Sequence, residues 1–157
     1  MADNFNRMIQ LVTEFFDTRN DPDQISVSPE ERDKLEAIHP ATLSEFANED
    51  GPVVWILLIP TTEAIMNRFI KGEITEKQLL QETQPGGVYD VIYLCSASVL
   101  PEFRLNGLAK KITIEAINNI RKDHPIKSLL CWPFSTGGKA LAQSIAKEVG
   151  LPLFEKS

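Results

Sequence analysis

Residues 99–109 read Val-Leu-Pro-Glu-Phe-Arg-Leu-Asn-Gly-Leu-Ala, and they join an apolar, strand-like run to an amphipathic, helix-like one. A helix that starts directly after a strand leaves its first backbone N–H groups without intrahelical partners. Those groups lie at the positive end of the helix dipole, which makes the turn a ready anion site. Gly107 and Ala109 carry no bulk that would hold phosphate oxygens off the backbone. Pro101 locks φ and has no N–H, so it helps turn the chain out of the strand. Lys110 and Lys111 add positive charge within one turn.

Working outward, Tyr89 to Val99 reads as a strand, and Gly107 to about Lys122 as a helix with Leu108, Ile112, Ala116 and Ile120 on one stripe. Lys127 to Trp132 is a second strand, Gly138 to Val149 a helix, and Leu153-Phe154 a short final strand. Strand, helix, strand, helix implies a parallel strand pair in a sheet with helices on its faces. Ligands of such sheets bind beyond the carboxyl ends of the strands, where the 99–109 turn lies. Upstream, Phe5, Met8, Ile9, Val12, Phe15 and Phe16 recur at helical spacing between Asn4 and Thr18, before a break at Asn20-Asp21-Pro22-Asp23. Ser28-Pro29-Glu30-Glu31 is a capping box for a second helix, stopped by His39-Pro40. Residues 41–60 read as a hairpin turning at 48–51. Its second strand, Val53 to Ile59, is apolar throughout and so expected to be central and buried on both faces. Helical stretches around Thr62 to Ile70 and from Thr75 follow, then a loop at Gln84-Pro85-Gly86-Gly87.

The 157 residues suit one domain spanning 1–157, and 43% hydrophobic with 24% charged residues suits a globular chain with a real core. Cys95 and Cys131 sit in apolar runs and form neither a disulfide framework nor a zinc pattern, which suggests a reducing, cytoplasmic setting. No signal peptide is evident, and the longest apolar run is far shorter than the roughly 20 residues a membrane span needs. A net charge of −6 argues against broad nucleic-acid binding. The charge is uneven: residues 1–100 sum to −10 and residues 101–157 to +4. The sign turns where the 99–109 stretch begins, which suits a compact polyanion.

With Val99, Pro101, Glu102 and Phe103 before it, Arg104-Leu105-Asn106-Gly107-Leu108-Ala109 resembles the acyl-coenzyme A loop of the GNAT superfamily of N-acetyltransferases. Ala142, Ile145, Gly150 and Leu151 fall in register with the helix that follows in that family, so the resemblance covers Tyr89 to Phe154. Residues 1–88 agree with it only in their order of elements: the family's first strand is not evident, and 62–80 looks like an addition. The resemblance implies an α/β (α+β) domain with a central mixed sheet flanked by helices. It implies binding of acetyl-coenzyme A or another acyl-coenzyme A by Val99, Arg104, Leu105, Asn106, Gly107, Leu108, Ala109 and Lys110. It further implies acyl transfer to a primary amine, of a small molecule or a peptide. The strand through Val99 would bond the pantetheine arm. Two positions depart from the family pattern: Ala146 stands where a proton-donating tyrosine is frequent, and Lys139 where an asparagine contacts pantetheine.

Substitute acid/base candidates are Ser135 and Tyr93. Ser135 also reads as part of a helix cap with Thr136 and Gly137, and Tyr93 as a half-buried strand residue with a satisfied hydroxyl. Cys95 reads as a structural thiol, His39 and His124 as surface punctuation before prolines, and Trp55 and Trp132 as core. The missing tyrosine keeps a second function open: a non-catalytic acyl-coenzyme A-binding or regulatory module. A third is an interaction protein without cofactor. The oligomeric state is also open.

Overall fold

Gly51, at φ +119°, turns the chain between β1 (Leu43–Asn48) and β2 (Gly51–Thr61), which pair antiparallel as the apolar run of β2 requires. The computed structural model describes residues 4–19, 29–104, 106–133 and 136–156. Before the hairpin come α1 (Asn4–Arg19) and α2 (Pro29–Ile38), and after it α3 (Glu63–Ile70) and α4 (Glu76–Glu82). The second half runs β3 (Val91–Val99), α5 (Leu108–Asp123), β4 (Ser128–Cys131), α6 (Thr136–Val149) and β5 (Leu153–Glu155). Single 3₁₀ turns at Pro40–Thr42 and Pro101–Phe103, unanticipated from the sequence, carry the chain into β1 and out of β3. The break at 20–23 and the Ser28 cap lie outside the described residues.

The five strands form one mixed sheet in the order β1-β2-β3-β4-β5. The joints β1–β2 and β2–β3 are antiparallel, whereas β3–β4 and β4–β5 are parallel. β2 is buried almost throughout, as its composition predicts, but the middle position belongs to β3. Pro60 sits inside β2 without breaking it. Leu43↔Leu57 is the last β1–β2 pair, so no β1 residue stands opposite Pro60 to require its missing N–H.

Side chains alternate along β2, placing Trp55, Leu57, Ile59 and Thr61 on one face. Phe5 of α1 meets Trp55 edge-on at 5.9 Å, and the Thr61 and Thr83 hydroxyls bond at 2.8 Å beside α4. Tyr93, which pairs with Ile59, touches Phe69 of α3 at 5.4 Å. α1, α3 and α4 therefore share this face. α5 packs against β1, β2 and β3, with Ile112, Ala116, Ile117 and Ile120 buried. Its position accounts for the burial of Val54, Ile56 and Leu58 on the other face. Among the described residues no helix is long and apolar enough to cross a membrane.

Candidate functional site

Two irregularities coincide in the middle of the sheet. Leu57 pairs with Ser96 but Leu58 pairs with Leu94, leaving Cys95 as an extra residue that bends β3. On its other side, β3 is matched to β4 only over Val91–Leu94, ending at Leu94↔Cys131. Beyond that pair β3 continues to Val99, and among the described residues β2 is the one strand paired with it there. The Leu100 N–H donates to the Val53 carbonyl at 3.0 Å, which sets the phase of the strand. By alternation the N–H and C=O groups of Ala97 and Val99 face away from β2, into the gap between the parted strands. The Val99 carbonyl accepts a hydrogen bond from Arg104 Nε at 3.1 Å.

The turn that follows is built from its own residues. Phe103 N–H closes the Pro101–Phe103 turn onto the Leu100 carbonyl at 2.9 Å, and half-buried Phe103 packs on the core. Gly107 then takes the left-handed conformation, φ +78°, as the residue preceding α5. A Cβ there would meet no protein atom within 4 Å, so within the chain itself the glycine answers a backbone angle and no packing neighbour. The Asn106 side-chain oxygen accepts the Leu108 N–H at 3.0 Å, answering one of the free donors of the helix start. Among the described residues no acceptor meets the N–H groups of Ala109 and Lys110. Beside them lies an open depression of about 360 Å³, lined by Gly107, Lys110, Lys111, Ile114, Glu115 and Glu148. Lys110 is not a free cation, since its ammonium pairs with Glu148 at 2.7 Å. Leu105 lies outside the described residues.

Glu102, in the same turn, pairs with Arg7 of α1 at 2.6 Å. Their hydrogen bond holds the Glu102 carboxyl below the usual carboxylate range and raises the Arg7 guanidinium. The first helix is thereby tied to the loop, a contact 95 residues apart in sequence.

The other sequence-derived candidates are scattered. Ser135 lies outside the described residues. Tyr93 is buried at 1% exposure, deeper than the half-buried strand position expected, and its hydroxyl donates to Glu76 Oε2 at 2.5 Å. Glu76, itself 2% exposed, went unnoticed in the sequence because an acidic residue opening a helix is ordinarily a surface feature. Cys131 is buried at the end of β4, and burial together with Glu155 pushes its thiol up to about 11. The histidines are not surface punctuation. His39 is 8% exposed, with Nδ1 accepting the Ala41 N–H at 3.0 Å and Nε2 facing Asp123 at 2.6 Å. The His124 ring lies tilted against Tyr89, 4.7 Å between ring centres, and burial, then the neighbouring His39, lower its pKa.

One further group joins α3, the end of β4 and the C-terminal segment. The rings of Phe69 and Trp132 meet edge-to-face at 5.6 Å, and the Lys156 ammonium lies 5.5 Å from the first ring centre and 5.3 Å from the second. In comparisons with known proteins, neither a family model nor a curated protein matches the chain.

Proposed function

We propose that the chain is an acyl-coenzyme A-dependent N-acyltransferase of the GNAT type, transferring an acetyl or related acyl group to a primary amine. The observation that carries this reading is the parting of β3 from β4 after Leu94 and Cys131, directly before the start of α5. An extended amide-bearing chain such as a pantetheine arm has matching partners in the backbone groups of Ala97 and Val99. Its pyrophosphate has the N–H groups of Ala109 and Lys110, with Arg104 and Lys111 adding charge. The spacing of Arg104, Gly107 and Ala109 supports the same ligand through the family resemblance. Bound acyl-coenzyme A supplies the activated thioester. The chain's own residues hold it along β3 and keep the thioester in the gap beside the sheet. An alkylammonium held there first gives one proton to solvent; its nitrogen then forms the C–N bond as the C–S bond breaks, and a second nitrogen proton goes to the departing thiolate, which leaves as coenzyme A thiol. Orientation supplies much of the rate in such a reaction.

Calorimetry with acetyl-coenzyme A tests the pocket, and Gly107→Glu is expected to abolish binding while urea unfolding stays cooperative. Unchanged affinity in that variant, or no binding at millimolar cofactor, defeats the reading. A second reading, the non-catalytic binding module, is favoured by two observations: Tyr93 is engaged by buried Glu76, and Ala146 stands where the resembled family often has its acid. Release of free thiol across an amine panel separates the two, since the module binds the cofactor and releases none.

A further inference from the structure

The Lys156 ammonium rests on aromatic faces at the point where the strands part. Its backbone N–H donates to the Cys131 carbonyl at 2.9 Å, so the C-terminal segment stays beside β4 up to the pair Leu94↔Cys131. From there the side chain reaches the rings of Phe69 and Trp132, both within about 6 Å, the range of a cation–π contact. Phe69 in turn touches Tyr93, whose hydroxyl rests on the buried Glu76 carboxyl. Among the described residues no carboxylate pairs with Lys156, although Glu155 beside it pairs with Lys139 at 3.5 Å. A lysine in such a position gives up rotamer freedom for ring contacts alone. What the rings accommodate is a linear alkyl stem ending in a primary ammonium.

We propose that Phe69 and Trp132, backed by Tyr93 and Glu76, form a seat for a primary alkylammonium, and that Lys156 fills it as a tethered competitor. Its role as the acceptor seat rests on the acyl-transfer reading; its capacity to bind an amine does not. Lys156 Nζ marks where the acceptor nitrogen sits, next to the gap that receives the thioester. A tethered group competes at millimolar effective concentration, so an amine must displace it before it can bind. The substrate class is then a linear primary amine.

The test is a titration of the full-length protein with n-butylammonium chloride, followed by the indole N–H resonances of Trp55 and Trp132, with sodium chloride as the ionic-strength control. In Lys156→Ala, which removes both the stem and the charge from the seat, the Trp132 resonance is expected to shift, with affinity about tenfold tighter than in the native chain. The Trp55 resonance, on β2 and bonded to Glu45, stays still. Adding Trp132→Leu to that variant abolishes binding measured by calorimetry. Equal affinity with and without Lys156 overturns the competitor, and a silent Trp132 in Lys156→Ala overturns the seat. Acetyl-coenzyme A is titrated in parallel: amine binding without cofactor binding leaves the seat standing and removes the acyl-transfer reading instead.

Discussion

Gly107 shows how a single backbone angle carries a loop. Its left-handed conformation costs an L residue about 1–2 kcal/mol, while the space around its missing Cβ is empty. Gly107→Ala is therefore expected to lower stability by about 1 kcal/mol in urea unfolding with no packing defect, whereas Gly107→Glu adds charge repulsion against phosphate. Cys131 yields a second expectation. A thiol held at about 11 instead of its ordinary 9.0 carries about a hundredfold less thiolate at pH 8. Iodoacetamide should label it slowly in the native protein and readily in urea. His124 yields a third. Its pKa is lowered in the folded state, so folding favours the neutral ring, and the contribution is complete above the ordinary 6.5. It erodes as pH falls from there toward the lowered value. Native protein should thus lose stability more steeply than His124→Gln between about pH 7 and 5, as read by urea midpoints. The histidines were misread in the sequence for a definite reason: the prolines after them are local, while Asp123, opposite His39, is 84 residues away.

Elements were more legible than their joints. The period-3.6 stripe of α5 and the unbroken apolar run of β2 follow from local sequence, and both lie where that pattern puts them. The start of α4 is equally local: Thr75 accepts the Gln78 N–H at 3.1 Å, and the Gln78 side chain accepts the Thr75 N–H at 2.9 Å. Thr75→Ala should cost about 1 kcal/mol by thermal or urea unfolding, and Thr75→Ser much less. What no local pattern reveals is register. The bulge at Cys95 and the end of the β3–β4 ladder depend on strands drawn from distant segments, and these two features shape the candidate site. The loop 99–109 was readable because its chemistry is written in consecutive residues; the gap beside it was not.

Across the whole molecule, charge works differently from its distribution along the chain. Among the described residues, three of the nine basic side chains of residues 101–157 are held in ion pairs. Lys110 meets Glu148, Lys139 meets Glu155, and Lys127 meets Glu63 at 2.5 Å and Asp90 at 3.5 Å. Phosphate affinity at the turn would rest on the helix-start donors with Arg104 and Lys111, so acetyl-coenzyme A affinity should fall less steeply with salt than polyanion binding does. A ligand that binds only the folded chain stabilises it by about 2.7 kcal/mol at a hundred times its Kd. Under the acyl-transfer reading, saturating acetyl-coenzyme A should raise Tm by several degrees, a shift that Gly107→Glu removes.

The parting of β3 from β4 also divides one strand into two exchange regimes. Backbone amides at 91–94 have a strand on either side, so whichever way they point they are protected. The amides of Ala97 and Val99 lie in regular strand geometry yet open toward solvent, and they should trade hydrogen for deuterium orders of magnitude faster than their neighbours a few residues back. Such a seam is an edge in the interior of a sheet, as adhesive as any outer edge. The Arg104 guanidinium on the Val99 carbonyl blunts it, leaving β3 with a half protected throughout and a half in which every second amide exchanges freely until another chain lies against it.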